Sequence, residues 1–403
     1  MLSKEKQGKY ADVLLWALKT ARTGRYKKGD IILVRYDLPA VSLAETMQAK
    51  ILAMGMNPIL RLSGTPRMER NFFEEANGRQ LQFIPPGDKM LYENLNGGIY
   101  LNAPESLTHL SGVDPKKIGK RAVVLKPFRD ILDRREAKGL FGWTLCMLPT
   151  QELARQAGLS IRTYTTQVSR ACYLDQKDPI GEWRKIYRKA VVIKQWLNRK
   201  KIAYLQVESD NMDLRIQPGR RRRWIGISGH NIPSFEIFLS PDWRGTEGVY
   251  YANLPSFRSG NYVAGARFVF KKGMAVKIEA EKGEDFLKKQ LALDKGAKRV
   301  GEFSLTDKRF SRINRFMANT LFDENHGGRH GNCHLALGAS YADTYEGDPA
   351  RLSQERKQNM GFNDSALHWD LVNTEKKRVT AYLTSGKREV IYENGIFTYG
   401  GAM

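Results

Sequence analysis

The sequence predicts an α/β N-terminal domain with a largely parallel sheet, followed by a mixed α+β C-terminal domain. Three observations support this fold class. The chain has 403 residues, which exceeds the size of one ordinary hydrophobic core. Strand-like and helix-like patterns alternate in the first half, whereas strand-like segments come in adjacent pairs after about residue 202. We therefore predict two domains, at residues 1–200 and 201–403.

The N-terminal elements are typical of β-α units. A helix is predicted over 40–54, after the first buried strand. A second helix is signalled by Pro149-Thr150, because threonine is a preferred N-cap residue. No GxGxxG or Walker loop occurs, so nucleotide binding has no support in the sequence. Strands are predicted at 31–34, 58–60, 98–101, 122–125 and 144–148.

The second half begins a different pattern. Strand-like segments at 267–270 and 275–280 flank the turn at 271–273, which predicts a β-hairpin. A helix is predicted over 284–293, where apolar residues recur on one face. Paired strands with an occasional helix indicate a mixed α+β domain.

The composition indicates a globular protein without membrane spans. Its longest apolar runs fall far short of the roughly 20 residues that cross a bilayer. No apolar region follows the charged N-terminus, as it would in a secretory signal. Cys146, Cys172 and Cys333 are widely spaced and include no CxxC pair, which favours reduced thiols. We therefore predict a cytoplasmic protein with no membrane partner.

The formal charge of +23 is the one extreme property of the composition. Basic residues concentrate at 116–121 and in four consecutive arginines at 220–223. Such charge attracts nucleic acid, but no zinc finger or aromatic RNA-binding motif accompanies it. A solvated basic surface, or attraction of acidic substrates, is therefore favoured, and nucleic acid stays the alternative partner.

Four of the six histidines lie in a C-terminal stretch that is rich in Glu, Asp and Gly. Imidazole and carboxylate groups are the ligands that hard and borderline divalent cations prefer. A strand over 368–370 would place His368 and Asp370 on the same face. A structural hydrogen-bonded pair explains this short segment equally well. The four histidines are His326, His330, His334 and His368.

The segment 323–334 combines carboxylates, glycines and three of these histidines, which is typical of a loop that approaches a ligand closely. If the apolar run at 335–341 is helical, His334 and Tyr341 share a face because they are seven residues apart. The alternative is a histidine-rich surface loop.

Five sequence blocks, taken together, resemble the thermophilic metallo-aminopeptidase family typified by aminopeptidase T, aminopeptidase S and PepS. Their order and approximate spacing agree throughout the C-terminal half, and the N-terminal half matches more loosely. The blocks are Asn231-Ile232-Pro233-Ser234-Phe235-Glu236, Gly301-Glu302, Thr320-Leu321-Phe322-Asp323-Glu324-Asn325, Cys333-His334-Leu335-Ala336-Leu337-Gly338 and His368-Trp369-Asp370.

The resemblance implies an aminopeptidase that removes residues from peptides with a free N-terminus, commonly as a homodimer. It implies two divalent ions in the C-terminal domain (zinc, cobalt, manganese or magnesium). Glu302 is the candidate for a carboxylate shared between the ions and Glu324 for the proton acceptor. Tyr341 is the candidate donor to the tetrahedral oxyanion. The implied metal ligands are Glu236, Glu302, Glu324, His334, His368 and Asp370.

The chain departs from the family pattern in three places. Extra residues at 326–332 bring two further histidines beside the site, Phe235 stands where a small residue is usual, and the arginine run is longer. The alternatives to a peptidase are a metal-dependent hydrolase of phosphate esters or nucleic acid, and a basic nucleic-acid-binding protein with a structural ion. A structural site closes with four ligands. Six or seven candidate ligands therefore favour a two-metal catalytic centre.

Overall fold

In the computed structural model, which describes residues 2–400, the chain forms two compact units. The first comprises Met1–Lys185 with Ile227–Ser234, and the second comprises Ile186–Gly226 with Phe235–Met403. Among the described helices, none combines the length and the apolar character that crossing a bilayer requires.

Strands and helices are numbered separately in chain order. The strands are β1 (Ile31–Tyr36), β2 (Asn57–Leu62), β3 (Gly97–Asn102), β4 (Gly142–Met147), β5 (Ile202–Glu208), β6 (Asp213–Ile216), β7 (Asn231–Ile232), β8 (Glu236–Leu239), β9 (Glu247–Ala252), β10 (Ser256–Arg258), β11 (Asn261–Val263), β12 (Ala266–Lys271), β13 (Met274–Glu279), β14 (Val300–Thr306), β15 (Asn332–Gly338), β16 (His368–Asn373), β17 (Arg378–Leu383), β18 (Arg388–Glu393) and β19 (Ile396–Phe397). The α-helices are α1 (Lys4–Ala21), α2 (Val41–Ala53), α3 (Pro66–Glu75), α4 (Asp88–Asn94), α5 (Pro115–Ala137), α6 (Gln151–Gln156), α7 (Ile161–Ala171), α8 (Pro179–Asn198), α9 (Glu284–Leu291), α10 (Thr320–Asp323) and α11 (Gln354–Asn359).

The first unit contains a five-stranded parallel sheet with the order β2-β1-β3-β4-β7. Ile32, Leu33 and Val34 of β1 are buried, as expected for a central parallel strand. The predicted helix over 40–54 is confirmed as α2, and Thr150 caps α6 by accepting the Leu153 N–H. The prediction of a parallel α/β domain is therefore confirmed.

The predicted strand at 122–125 is wrong, because these residues lie inside the long helix α5. The helix begins at a proline, and the Asp114 side chain accepts the N–H of Lys116. Val123 and Leu125 are each 42% exposed, so this apolar run does not belong to a buried strand. A short apolar run alone does not distinguish a β-strand from a segment of an α-helix. The Asp-Pro pair before it was the informative signal.

The second unit is built mainly from antiparallel sheets. One has eight strands in the order β13-β12-β9-β6-β5-β17-β18-β19, and another has four in the order β16-β15-β14-β8. The predicted hairpin is confirmed as β12 and β13, and the predicted helix as α9. Strands that return directly beside their neighbours account for the paired pattern in the sequence.

The conditional helix at 335–341 is wrong, because this run belongs largely to β15. Hydrogen bonds pair β15 with β14 on one side and β16 on the other, and every residue of the strand is buried. A central strand buried on both faces reads as a continuous apolar run, which resembles a buried helix in the sequence. Tyr341 lies beyond the end of the strand, so it shares no helical face with His334.

Candidate metal centre

The four-stranded sheet carries five of the predicted ligands on one face. In antiparallel pairs, residues directly opposite each other point to the same side, as does every second residue along a strand. Glu302 lies opposite Ala336, and Ala336 lies opposite Asp370, so a single methyl group separates the two carboxylates. By these pairings the shared face carries Glu236, Glu302, His334, His368 and Asp370.

The imidazole of His334 lies at the centre of this face. Its Nε2 is 3.1 Å from Glu302 Oε1 and 3.2 Å from Glu236 Oε2. Asp370 Oδ1 lies 3.8 Å from the same nitrogen. Glu236, Glu302 and His334 each offer a ligand atom, and the three atoms lie within 4.8 Å of one another. These three side chains are therefore close enough to share one ion.

The imidazole of His368 extends the cluster along β16. Its Nε2 is 3.3 Å from Asp370 Oδ1 and 3.8 Å from Glu302 Oε2. The Glu302 carboxylate thus directs one oxygen towards His334 and the other towards His368. The strand interpretation of 368–370 is confirmed, and it places the two side chains as the period of two predicts.

Burial and neighbouring charges together shift the pKa values of the carboxyl groups. It raises the pKa of Glu236 to about 8, although nearby His334 opposes the shift. Burial, followed by neighbouring carboxylates, raises the pKa of Glu324 well above its usual range. Burial also raises the pKa of Glu302 far above that range, against the opposing influence of His368. Burial would raise the pKa of Asp370 too, but the charge and hydrogen bond of His368 hold it below its ordinary value.

The donor set fits a divalent cation. Four carboxyl groups and two imidazoles are gathered away from bulk water, where carboxyl groups stay ionised only beside a compensating cation and otherwise bind protons. Nitrogen and oxygen donors of these types suit zinc, cobalt, manganese and magnesium. Among residues 2–400, the buried Nδ1 of His334 has no hydrogen-bond partner. That nitrogen lies on the far side of the ring from Nε2, and Nε2 is the His334 atom that faces Glu302 and Glu236 and would bind the ion.

Surrounding groups orient the cluster. The Nδ1–H of His368 donates to the Ala339 carbonyl at 2.8 Å, so its Nε2 is left to face the carboxylates. Ser304 donates to Glu236 at 3.3 Å, and Arg258 Nη1 donates to the His368 carbonyl at 2.7 Å. Neither Ser304 nor Arg258 is among the residues predicted from the sequence. Ser304 could have been found two positions beyond Glu302 on one strand, whereas nothing in the sequence marks Arg258.

Glu324 and Tyr341 lie at the edges of this cluster. Glu324 follows α10. Its carboxyl group is close enough to Glu236, Glu302 and Asp370 for their negative charges to raise its pKa. The ring of Tyr341 is 4.7 Å from that of His368, centroid to centroid, and the residue is 38% exposed. The cluster therefore opens to solvent beside Tyr341.

The two histidines of the inserted loop occupy a different place. His326 and His330 lie between α10 and β15, and both are half-buried. The backbone carbonyl of His326 accepts a hydrogen bond from Asn332 at 2.6 Å. Neither histidine belongs to the group of described residues that could share one ion. We predict that these two histidines compete for metal or contact substrate from beside the site.

The family is decided by a comparison of the whole chain. The family model for thermophilic metalloproteases (M29) matches residues 3–397. The chain belongs to this family. The resemblance stated from the sequence and the predicted class, a metal-dependent peptidase, are both confirmed.

Individual relatives of this M29 metalloprotease agree with that result. Aminopeptidase AmpS of Bacillus subtilis (strain 168) is 31% identical over 249 residues, an alignment that spans 58% of each chain. Aminopeptidase 2 of Geobacillus stearothermophilus is 30% identical over 313 residues, or 72% of this chain and 73% of the relative. The solved structure of wild-type AmpT from Thermus thermophilus has a TM-score of 0.77 at 23% identity, covering 97% of this chain and 99% of the other. That likeness confirms the predicted fold class.

Proposed function

We propose that the cluster on the four-stranded sheet is the catalytic centre through which this protein acts as a metal-dependent aminopeptidase. The observation that supports it most is the burial of Glu236, Glu302 and His334 within reach of one ion, with His368 and Asp370 beside them. Family membership and the aminopeptidases among the relatives support the same activity. Neither relates the protein to nucleic-acid or phosphate-ester chemistry.

We assign two divalent ions to each chain. Glu236, Glu302, Glu324, His334, His368 and Asp370 would hold them, which is more than the four ligands of one structural ion. Glu302 suits a shared position, since its two oxygens face different histidines. When bound, such a pair of ions polarises the scissile carbonyl and lowers the pKa of the attacking water.

The two side chains at the edges of the cluster have separate roles, one in proton transfer and one in stabilising the oxyanion. Glu324 accepts the proton of the attacking water and delivers it to the leaving amine. Tyr341, on the open side, donates a hydrogen bond to the oxyanion of the tetrahedral intermediate. A carboxylate of the cluster or a bound ion would also bind the free α-amino group of a peptide, which would restrict cleavage to the N-terminus.

The proposal extends to assembly and location. The resemblance to the family supports a homodimer. Cys146, Cys172 and Cys333 are buried and form no disulfide, which supports a reducing compartment such as the cytoplasm.

The first prediction concerns metal content and the free N-terminus. Purified protein should contain about two divalent ions per chain, and chelation should abolish cleavage of an aminoacyl chromogenic substrate. The N-acetylated form of that substrate should be resistant, because it lacks the α-ammonium group. Elemental analysis and turnover measure the outcome. Metal-free protein that cleaves as fast as metal-loaded protein would refute the mechanism.

The second prediction concerns the +23 charge. Binding of DNA or RNA should weaken steeply as salt increases, because it would rest on phosphate contacts alone. A change from 50 to 200 mM salt should lower the affinity by roughly three orders of magnitude for six or more such contacts. Sequence-selective binding that persists at physiological salt would revive the nucleic-acid alternative.

A further inference from the structure

The four consecutive arginines at 220–223 have no part in the catalytic centre proposed above. The structure divides them into two pairs. Arg220 and Arg221 are exposed, whereas Arg222 and Arg223 are half-buried. The predicted solvated basic surface therefore describes only the first pair. The second pair requires another explanation.

Residues 221–225 form a strut between β8 and the segment that carries Tyr341. At one end, Ile225 and Phe238 of β8 exchange two backbone hydrogen bonds of 2.9 Å. Towards the other end, the Arg223 N–H donates to the Thr344 carbonyl at 2.8 Å and the Arg221 carbonyl accepts the Glu346 N–H at 2.9 Å. The strut is thus paired at both ends, and one of its partners lies three residues beyond Tyr341.

The side chain of Arg222 ties the strut to the residues that hold Tyr341. Its Nε donates to the Ser240 carbonyl at 2.7 Å and its Nη2 to the Met360 carbonyl at 2.9 Å. The guanidinium lies 3.4 Å from the ring centroid of Phe362. Ser240 in turn accepts the backbone N–H of Tyr341 through its hydroxyl, at 2.8 Å. Arg222 therefore holds Ser240 in place, and Ser240 in turn holds the backbone of Tyr341.

The side chain of Arg223 holds the turn that follows Tyr341. Its Nε donates to the Asp343 carbonyl at 2.9 Å, one residue before the carbonyl that its own backbone N–H contacts. Two adjacent carbonyls of the turn 342–344 are therefore bound by one arginine. Burial disfavours the charged form of Arg222, and burial of two guanidinium groups costs free energy unless such contacts compensate for it.

We propose that Arg222 and Arg223 are positioning residues, which hold the turn beyond Tyr341 so that its hydroxyl lies at the open edge of the metal centre. Neither arginine touches the metal ligands through a described contact. Both act through the backbone on either side of Tyr341, whose ring packs against His368 at 4.7 Å and Phe238 at 6.1 Å. The inference rests on the proposed function, since it assumes that Tyr341 takes part in the reaction.

The test is a double-mutant cycle in the full-length, metal-loaded enzyme. Arg223→Gln should lower kcat by roughly tenfold to a hundredfold, because small misplacements of a catalytic group have effects of that size. KM and metal content should stay within about twofold, since the ligands are untouched. Arg223→Lys keeps a charged donor and should recover most of the turnover. Arg220→Gln, in the same run but exposed and outside the strut, is the matched control and should lie within about twofold of wild type.

Tyr341→Phe separates positioning from general stability. In that background Arg223→Gln should have little further effect on kcat, because the group it positions is gone. Equal losses in both backgrounds, or loss of metal in Arg223→Gln, would overturn the inference while leaving the role of Tyr341 intact. Full activity of Tyr341→Phe would instead overturn the role proposed for Tyr341, and the inference with it. Arg222→Gln can be added if its circular dichroism matches wild type, and the cycle on Arg223 does not depend on it.

Discussion

Replacing His334 with alanine is expected to abolish most peptidase activity and to release at least one bound ion. Its Nε2 lies 3.1 Å from Glu302 and 3.2 Å from Glu236, and the side chain is 1% exposed. A histidine in the middle of a paired strand is fixed by the sheet, so no neighbour can replace it with the same geometry. Loss of a ligand should cost at least about a hundredfold in turnover, since the groups that merely orient ligands already cost 10–100-fold.

The measurement is metal stoichiometry and turnover for a set of variants with folding checked independently. Glu302→Ala and His368→Ala should behave like His334→Ala. His326→Ala and His330→Ala serve as controls, because their residues lie in the inserted loop, and they should alter chiefly substrate preference or KM. Loss of the ion in His330→Ala with retention in His334→Ala would show that the family resemblance is out of register between 324 and 341.

Removing the metal should make the stability of the protein depend strongly on pH. Burial raises the pKa of Glu236 to about 8 and raises those of Glu302 and Glu324 well above their usual range. A carboxyl group with a raised pKa binds its proton more tightly in the folded state. Its contribution to stability is complete below the unfolded pKa of about 4.3 and is lost as the pH rises through the folded value. Between pH 5 and 8 the shift of Glu236 alone should cost the metal-free protein on the order of 3–4 kcal/mol, and Glu302 and Glu324 act in the same direction.

Two further groups of the cluster, His368 and Asp370, do not reverse this trend. Asp370 raises the pKa of His368 against the effect of burial, so the contribution of His368 also falls as the pH rises. The pKa of Asp370 is lowered, so its contribution is complete above an unfolded pKa of about 3.9 and does not vary between pH 5 and 8. The three glutamates and His368 therefore all predict that the metal-free protein has a lower free energy of unfolding at pH 8 than at pH 5.

Denaturant unfolding at pH 5.5 and pH 8, with and without metal, tests this expectation. Bound cations compensate the carboxylates, so the metal-loaded protein should change much less over the same range. Glu302→Gln provides the control, since a neutral amide cannot titrate and should reduce the loss in the metal-free protein. Metal-free protein that is equally stable at both pH values would show that the carboxyl groups are hydrated rather than buried.

The sequence was most informative where local periodicity and the fold agree. The alternation of βα units predicted the parallel sheet, and the two-residue period of a strand placed His368 and Asp370 on one face. The ligand blocks were recognised because each lies on a short segment with a fixed spacing. Their meeting on adjacent strands was not predictable from spacing, because strand order depends on contacts between distant segments.

The sequence was misleading where a pattern has two physical meanings. The run after His334 is apolar because β15 is buried on both faces, and a buried helix would look the same. The arginines at 220–223 look like surface charge, yet two of them bind carbonyl groups inside the second unit. Burial and partners decide such cases, and neither is written in a single sequence.

The placement of the ligands on four strands has a consequence for the order of folding. These strands come from distant parts of the chain, with Glu236 on β8 and Asp370 on β16. Closing loops of that length costs chain entropy before any ligand can meet another. In a nascent or partly unfolded polypeptide the ligands are therefore far apart, and few of them can bind the same ion. Metal uptake should therefore follow assembly of the sheet. Because the ion binds only the folded sheet, it then stabilises the native state relative to every partly folded state.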